Sequence, residues 1–226
     1  MRYETLLFDA DNTVLDFDKA EEQALRRVFE KFSLRYDAEA LNIYRKNNVY
    51  QWQLFEQGKI EKSAVLINRF STTLRDLKID VAVEKVAVLF EDYLKQGYYV
   101  IENAESVLLR LQKTCRLYIV SNGVAKIQSS RMKGSGMDKY FLYRFVSEEV
   151  GYPKPSKEYF EYCFKRIPDF NKSTTLIIGD SLSSDIQGGI NAQIDTCWYN
   201  PKRLGNNTGV KPTYEITDLR ELFDIV

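Results

Sequence analysis

The segment Leu6-Leu7-Phe8-Asp9-Ala10-Asp11-Asn12-Thr13 constrains this chain most. A short apolar run bounded by turn-forming residues reads as a buried strand, and it leads directly into two carboxylates. Buried charge is costly unless it is paired, coordinated or put to use. Residues i and i+2 of an extended chain point to the same side, so Asp9 and Asp11 are expected to converge on one small object, a divalent cation or a phosphoryl group. The plainer alternative is an Asp-rich turn that caps the next helix.

The residues after the strand decide its setting. From about Lys19 to Tyr99 the pattern is helical almost throughout. Ala20, Ala24, Leu25, Val28, Phe29 and Phe32 share one face. Leu41, Tyr44, Asn48, Trp52 and Phe55 make a second stripe, with Gly58 placed to end that helix. Val65, Leu66, Arg69, Phe70 and Leu74 make a third, and Val83, Val86, Ala87, Phe90, Tyr93 and Leu94 a fourth. Four amphipathic helices predict a small bundle.

From Ala104 onward helix and strand alternate. Helices are expected over 104–112, 126–133, 157–165 and 186–191, and strands over 117–120, 145–147, 175–178 and 196–199. Alternation of this kind implies a parallel sheet with helices on both faces. Residues 202–211 read as a polar loop. The predicted fold class is therefore α/β. Residues 1–16 and 100–226 form a doubly wound parallel-sheet core, and residues 17–99 form a helical cap inserted after strand one. A length of 226 residues suits one full core plus a smaller module.

Composition narrows the chemistry. Lys plus Arg and Asp plus Glu are equal at 32 each, so no basic excess exists to hold a nucleic-acid polymer. No run of about 18 apolar residues occurs and no signal-like stretch opens the chain, so neither a membrane span nor export is expected. Cys115, Cys163 and Cys197 lie far apart without metal-type spacing, as expected for reduced thiols in the cytoplasm. There is no histidine. That removes histidine bases, Ser-His-Asp triads and His-ligated zinc together, leaving carboxylates, lysine, hydroxyls and thiols.

Four polar segments fall at the predicted strand ends, where open parallel sheets bind ligands. They are Asp9/Asp11, Ser121-Asn122-Gly123, Lys154 between Pro153 and Pro155, and Gly179-Asp180-Ser181-Leu182-Ser183-Ser184-Asp185. Each has a plain reading as turn, cap or solvated loop. Together they match what a phosphate monoester needs. Mg²⁺ takes oxygen ligands, here Asp9 and Asp180 with a carbonyl near Asp11. Ser121, with neighbouring backbone N–H groups at a helix N-terminus, forms an anion site, and Lys154 adds positive charge. Asp9 can then attack phosphorus to give an aspartyl-phosphate, while Asp11 donates a proton to the leaving oxygen and later takes one from water.

In these motifs and in their order the chain resembles the haloacid dehalogenase (HAD) superfamily of aspartate-nucleophile hydrolases. The resemblance covers the whole chain, with the helical block matching an inserted cap on a HAD-like Rossmannoid core. It implies Asp9 as nucleophile, Asp11 as acid/base, Asp180 as metal ligand beside Asp9 and Asp11, and Asp185 and Thr13 as supporting residues. The presence of Asp11 points to the phosphatase branch rather than the dehalogenase branch, which lacks an Asp there and does without Mg²⁺.

Phe8-Asp9-Ala10-Asp11-Asn12-Thr13, Ser147-Glu148-Glu149-Val150-Gly151, Ile186-x-Gly188-Gly189-Ile190-Asn191-Ala192 and Thr196-Cys197-Trp198 are similar to segments of the bacterial pyrimidine 5′-nucleotidases. The spacing of Asn48, Trp52 and Gly58 fits as well. The expected activity is thus Mg²⁺-dependent hydrolysis of a small phosphomonoester, a pyrimidine nucleoside monophosphate in particular. Ser121, Asn122 and Lys154 would hold the phosphate. Asn48 and Trp52 are candidates to meet the base, whereas Tyr44 and Phe55 fit the bundle core. The alternatives are a sugar-phosphate phosphatase or phosphomutase of the same fold, and a non-catalytic phosphoryl-ligand binding protein.

Overall fold

Six strands pair side by side, all parallel, in the computed structural model, which describes residues 2–226. They are β1 (Thr5–Phe8), β2 (Arg116–Ser121), β3 (Tyr143–Val146), β4 (Thr175–Gly179), β5 (Asp195–Tyr199) and β6 (Tyr214–Ile216), in the order β3-β2-β1-β4-β5-β6. β1 sits between β2 and β4, with Phe8 level with Ile119 on one side and Ile178 on the other. The three strands therefore end together, and the residues beyond them emerge along one edge.

Strands buried on both faces read as unbroken apolar runs, and period-two alternation then divides each run between two cores. Leu6, Phe8, Leu117, Ile119, Leu176 and Ile178 pack with Val107, Leu108 and Leu111 of the helix Ala104–Leu111. Leu7, Tyr118, Val120 and Ile177 face the other way, onto Tyr159, Phe160 and Cys163 of the helix Lys157–Phe164. This sheet unit comprises the described residues up to Phe17 together with Tyr98–Val226. Its chain leaves and returns side by side, since Asp16 N–H donates to Tyr99 C=O at 3.0 Å and Ile101 N–H to Val14 C=O at 3.0 Å.

Asp18–Gly97 form a second unit. Its helices are α1 (Phe17–Lys31), α2 (Ala38–Glu56), α3 (Lys62–Asp76) and α4 (Val83–Leu94). The rings of Tyr44, Phe70 and Phe90 meet at its centre, 5.1–5.7 Å apart between centroids. α2 stops two residues before Gly58, whose φ of +67° an L side chain disfavours. Among the described residues no helix is long and apolar enough to cross a membrane.

Three local features differ from the sequence expectation. β6 is only three residues long, with Tyr214 half-buried, Glu215 exposed and Ile216 buried, too short to register as a periodic run. Ser147 opens the short helix Ser147–Val150 rather than closing β3. A wide π-type turn over Leu182–Ile186 precedes the helix Gln187–Ala192, so the backbone begins to coil four residues earlier than expected.

Candidate active site

Parallel register brings the polar strand ends together. Asp9 follows β1, Ser121 ends β2 and Asp180 follows β4. Asp9 N–H donates to Ile178 C=O at 2.8 Å, which holds the backbone of Asp9 against β4. Oxygen atoms of Asp9, Asp180 and Asp185 lie within 4.8 Å of one another. Asp185 reaches this point because the turn after β4 folds back, with its Oδ2 accepting from Ser181 N–H at 3.1 Å. A Cβ at Gly179 would overlap the Asp185 carboxylate, so a residue without a side chain is required there.

Lys154 is the cation of the cluster. It lies in the loop after the helix Ser147–Val150, and its side chain is 1% exposed. Its Nζ donates to Asp9 Oδ1 at 2.6 Å, Asp185 Oδ1 at 2.7 Å and Val120 C=O at 2.8 Å, using all three hydrogens. The Asn122 side chain holds the Lys154 backbone at both ends: its Nδ2 donates to Lys154 C=O and its Oδ1 accepts from Lys154 N–H, each at 2.8 Å. Asn122, expected on the phosphate, thus places the lysine.

One ammonium among three carboxylates leaves two negative charges uncompensated. Burial, followed by repulsion from Asp185 and Asp11, pushes the Asp9 carboxyl up to about 8 even though Lys154 pulls it down. Asp180 is raised well above the usual carboxylate range by burial and by Asp9 and Asp185. Burial alone would lower Lys154; its two carboxylate partners outweigh that and raise it. Trp198 Nε1 donates to Asp180 C=O at 2.8 Å and fixes that residue's backbone.

Asp11 departs from the expectation. The i, i+2 rule holds only within a strand, and β1 ends at Phe8. Beyond it Val14 and Leu15 N–H both donate to Ala10 C=O, at 3.0 and 2.8 Å, and Asn12 takes a φ of +58°. The turn directs the Asp11 carboxylate to Gln128 and Arg131, on the helix Ala125–Gly134. Its side chain is thereby outside the group of Asp9, Asp180 and Asp185. Reading the sequence alone misses Gln128 and Arg131, for both sit on the buried face of a helix that the pattern of apolar residues only weakly marks.

The remaining candidates occupy varied settings. Ser121 is buried and its Oγ accepts from Gly123 N–H at 3.0 Å. The first N–H of the helix after it, that of Ala125, already donates to Glu148 Oε2 at 2.9 Å, so the anion site expected at that terminus is narrower than a bare helix end. Thr13 is fully buried, and its hydroxyl has no hydrogen-bond partner among the described residues. In the helical unit the Asn48 amide donates to Glu21 Oε1 at 2.9 Å and accepts from Arg69 Nη1 at 3.5 Å. The partner that a buried amide requires is thus found inside the bundle. Burial pushes Glu21 up to about 7 against the pull of Arg69. Trp52 is half-buried, edge-on to Phe55 at 5.8 Å, and Tyr44 and Phe55 are core.

Comparison with known proteins agrees with this geometry. The haloacid dehalogenase-like hydrolase family profile matches residues 6–199. The solved structure of the Bacillus subtilis HAD-hydrolase YfnB bound to magnesium is 42% identical, with a TM-score of 0.95 over 100% of this chain and 99% of that one. The pyrimidine 5′-nucleotidase PynA of Streptococcus pneumoniae is 37% identical over 99% of this chain and 95% of its own length. The pyrimidine 5′-nucleotidase YjjG of Escherichia coli is 30% identical over 98% and 97%. The chain belongs to the haloacid dehalogenase-like hydrolase family and is a hydrolytic enzyme.

Proposed function

We propose that the chain is a Mg²⁺-dependent phosphatase that acts through an aspartyl-phosphate on Asp9 and prefers pyrimidine nucleoside 5′-monophosphates. The observation that carries this reading is the convergence of Asp9, Asp180 and Asp185 around the buried ammonium of Lys154, at the shared end of adjacent parallel strands. The donor set fits a hard cation, since every ligand is oxygen and the cluster holds more negative charge than Lys154 offsets. Asp9 and Asp180, with a carbonyl at Asp11, would hold Mg²⁺, which when bound neutralises charge on the phosphoryl oxygens.

The chain's own residues supply the rest. The Ser121 segment orients the phosphate dianion, and the Lys154 ammonium, its three hydrogens committed to Asp9, Asp185 and Val120 C=O, contributes charge balance. A carboxylate oxygen of Asp9 forms a bond to phosphorus as the bond to the leaving oxygen breaks, and that oxygen takes the proton of Asp11. In the second half Asp11 takes a proton from water. The water oxygen bonds to phosphorus, and the bond from phosphorus to Asp9 breaks. Asp185 and Asn122 keep Lys154 in place through both halves.

The pyrimidine preference is supported by the substrates named for PynA and YjjG. The test is release of inorganic phosphate from an aryl phosphate with Mg²⁺ and with EDTA, then from a panel of nucleoside monophosphates and sugar phosphates. Activity that requires Mg²⁺ and is highest in kcat/KM on pyrimidine monophosphates is expected. Highest efficiency on sugar phosphates would replace the substrate class, and absence of turnover on every ester would leave a binding protein.

A further inference from the structure

We infer that Gln128 and Arg131 are positioning residues that set Asp11 for proton transfer; this rests on the phosphatase reading. Both lie on the helix Ala125–Gly134, three residues apart and so on one face. Gln128 Nε2 donates to one Asp11 oxygen and Arg131 Nη1 to the other. The carboxylate can only accept, which fixes the direction of the Gln128 amide. Two donors on two oxygens define the plane of the carboxylate as well as its place.

Packing alone would not select these residues. Arg131 is fully buried and Gln128 is 1% exposed, where an aliphatic chain would fill the space without desolvating a charge or an amide. The Gln128 carbonyl oxygen is buried with no hydrogen-bond partner among the described residues, so the amide serves its donor end. The Arg131 guanidinium also lies 5.4 Å from the centroid of the Phe17 ring, which steadies it from a second side. Gly123 completes the arrangement: a Cβ there would overlap the Gln128 amide, so the glycine of the Ser121-Asn122-Gly123 turn leaves that amide its path to Asp11. One helix thereby ties the turn after β2 to the acid after β1.

The arrangement does not block the acid. Each carboxylate oxygen has two lone-pair sites, so one donor on each still leaves a position for a proton. The Asp11 side chain is 26% exposed, which leaves one side open to a leaving group.

The experiment compares phenyl phosphate, a poor leaving group, with 2,4-dinitrophenyl phosphate, which needs little protonation. Gln128→Met and Arg131→Lys are measured alone and in an Asp11→Asn background, with folding checked by circular dichroism. Each single variant is expected to lower kcat on phenyl phosphate by about 10–100-fold, up to the lower end of the roughly 10²–10⁴-fold worth of a general acid, with less than about threefold loss on the activated ester. In the Asp11→Asn background neither should cause further loss, as for residues that act through one another. Equal losses on both esters, or the same loss with and without Asp11, overturn the inference and make the pair structural. If Arg131→Lys does not fold, Gln128→Met decides alone. Wild-type protein without phosphatase activity refutes the proposed function instead; the positioning role is then decided by crystal structures, and an unmoved Asp11 carboxylate in Gln128→Met overturns it.

Discussion

Replacing Lys154 by Met tests the charge logic of the site most directly. The substitution keeps most of the buried chain and removes an ammonium that donates at 2.6 Å to Asp9, 2.7 Å to Asp185 and 2.8 Å to Val120 C=O. Removing one partner of a buried ion pair leaves the other charge uncompensated, at a cost of about 3–5 kcal/mol. The lost bond to Val120 adds about 1 kcal/mol. Protonation limits the total, because carboxylates already raised by burial neutralise rather than remain charged, so about 3–5 kcal/mol is the working range. Sign and window come from Lys154 itself. Its folded pKa is raised above the ordinary lysine value of 10.5, so its stabilisation is complete below that pH and is lost only as pH rises through the folded value. An assay at neutral pH therefore reads the full contribution. For a chain of this size 1 kcal/mol shifts the melting midpoint by about 2–4 °C, which gives a fall of roughly 6–20 °C. Thermal unfolding monitored by circular dichroism in EDTA should show that fall, and Mg²⁺ should raise the variant's Tm more than the wild type's. Turnover of an aryl phosphate should drop by about 10²–10³. A variant that melts in EDTA with the wild type would refute the reasoning, since the ammonium would then balance no buried charge.

Asp9→Asn should abolish turnover. Burial raises the Asp9 carboxyl from 3.8 to about 8, which destabilises the metal-free fold progressively across that interval, so the amide variant should melt higher than wild type in EDTA at pH 8 and lose that advantage near pH 4. Asp11→Asn should lower kcat on poor leaving groups by about 10²–10⁴ and much less on activated esters; equal impairment of both removes the acid role. Trp52→Ala should reduce kcat/KM on pyrimidine monophosphates while sparing a small aryl phosphate, whereas Asn48→Ala, which strips Glu21 and Arg69 of a shared partner, should lower Tm by the equivalent of about 1–3 kcal/mol. Glu21 is raised from 4.5 to about 7, so its stabilising effect is complete below pH 4.5 and lost by pH 7, by about 3 kcal/mol at most; Glu21→Gln should flatten that part of the stability profile measured by urea unfolding.

The sheet is legible in the sequence because burial on both faces leaves Leu6–Phe8, Leu117–Val120 and Leu176–Ile178 without interrupting polar residues. The bundle is legible for the complementary reason, as apolar residues repeat at helical spacing within each of its helices, and Tyr44, Phe70 and Phe90, one from each of α2, α3 and α4, meet in its core. β6 escapes notice because three residues, only one of them buried, cannot establish a period. Within the site, Asp9 and Asp180 announce themselves as polar residues placed where an apolar strand stops, and Lys154 as a lysine set between two prolines. Spacing cannot assign partners, however. It gives Asn48 an unmet amide, and the fold meets it with Glu21 and Arg69.

Asp11 shows why that gap is physical. An i, i+2 argument assumes that the chain stays extended, and three residues after β1 it has already turned, so the second carboxylate leaves the first. Its new partners are hidden from any pattern search, because a buried Gln and a buried Arg count as polar and blur the amphipathic signal of their own helix. A helix whose inward face carries polar groups in the interior needs partners for them, since leaving them unpaired is costly. Here one carboxylate is that partner, and its chemical neighbour in sequence, Asp9, is served by a different cation, Lys154. Two acids two residues apart thus receive separate environments: one buried among carboxylates and an ammonium, the other held between an amide and a guanidinium with one side open. Distinct roles for the pair need that separation, and the turn after β1 provides it.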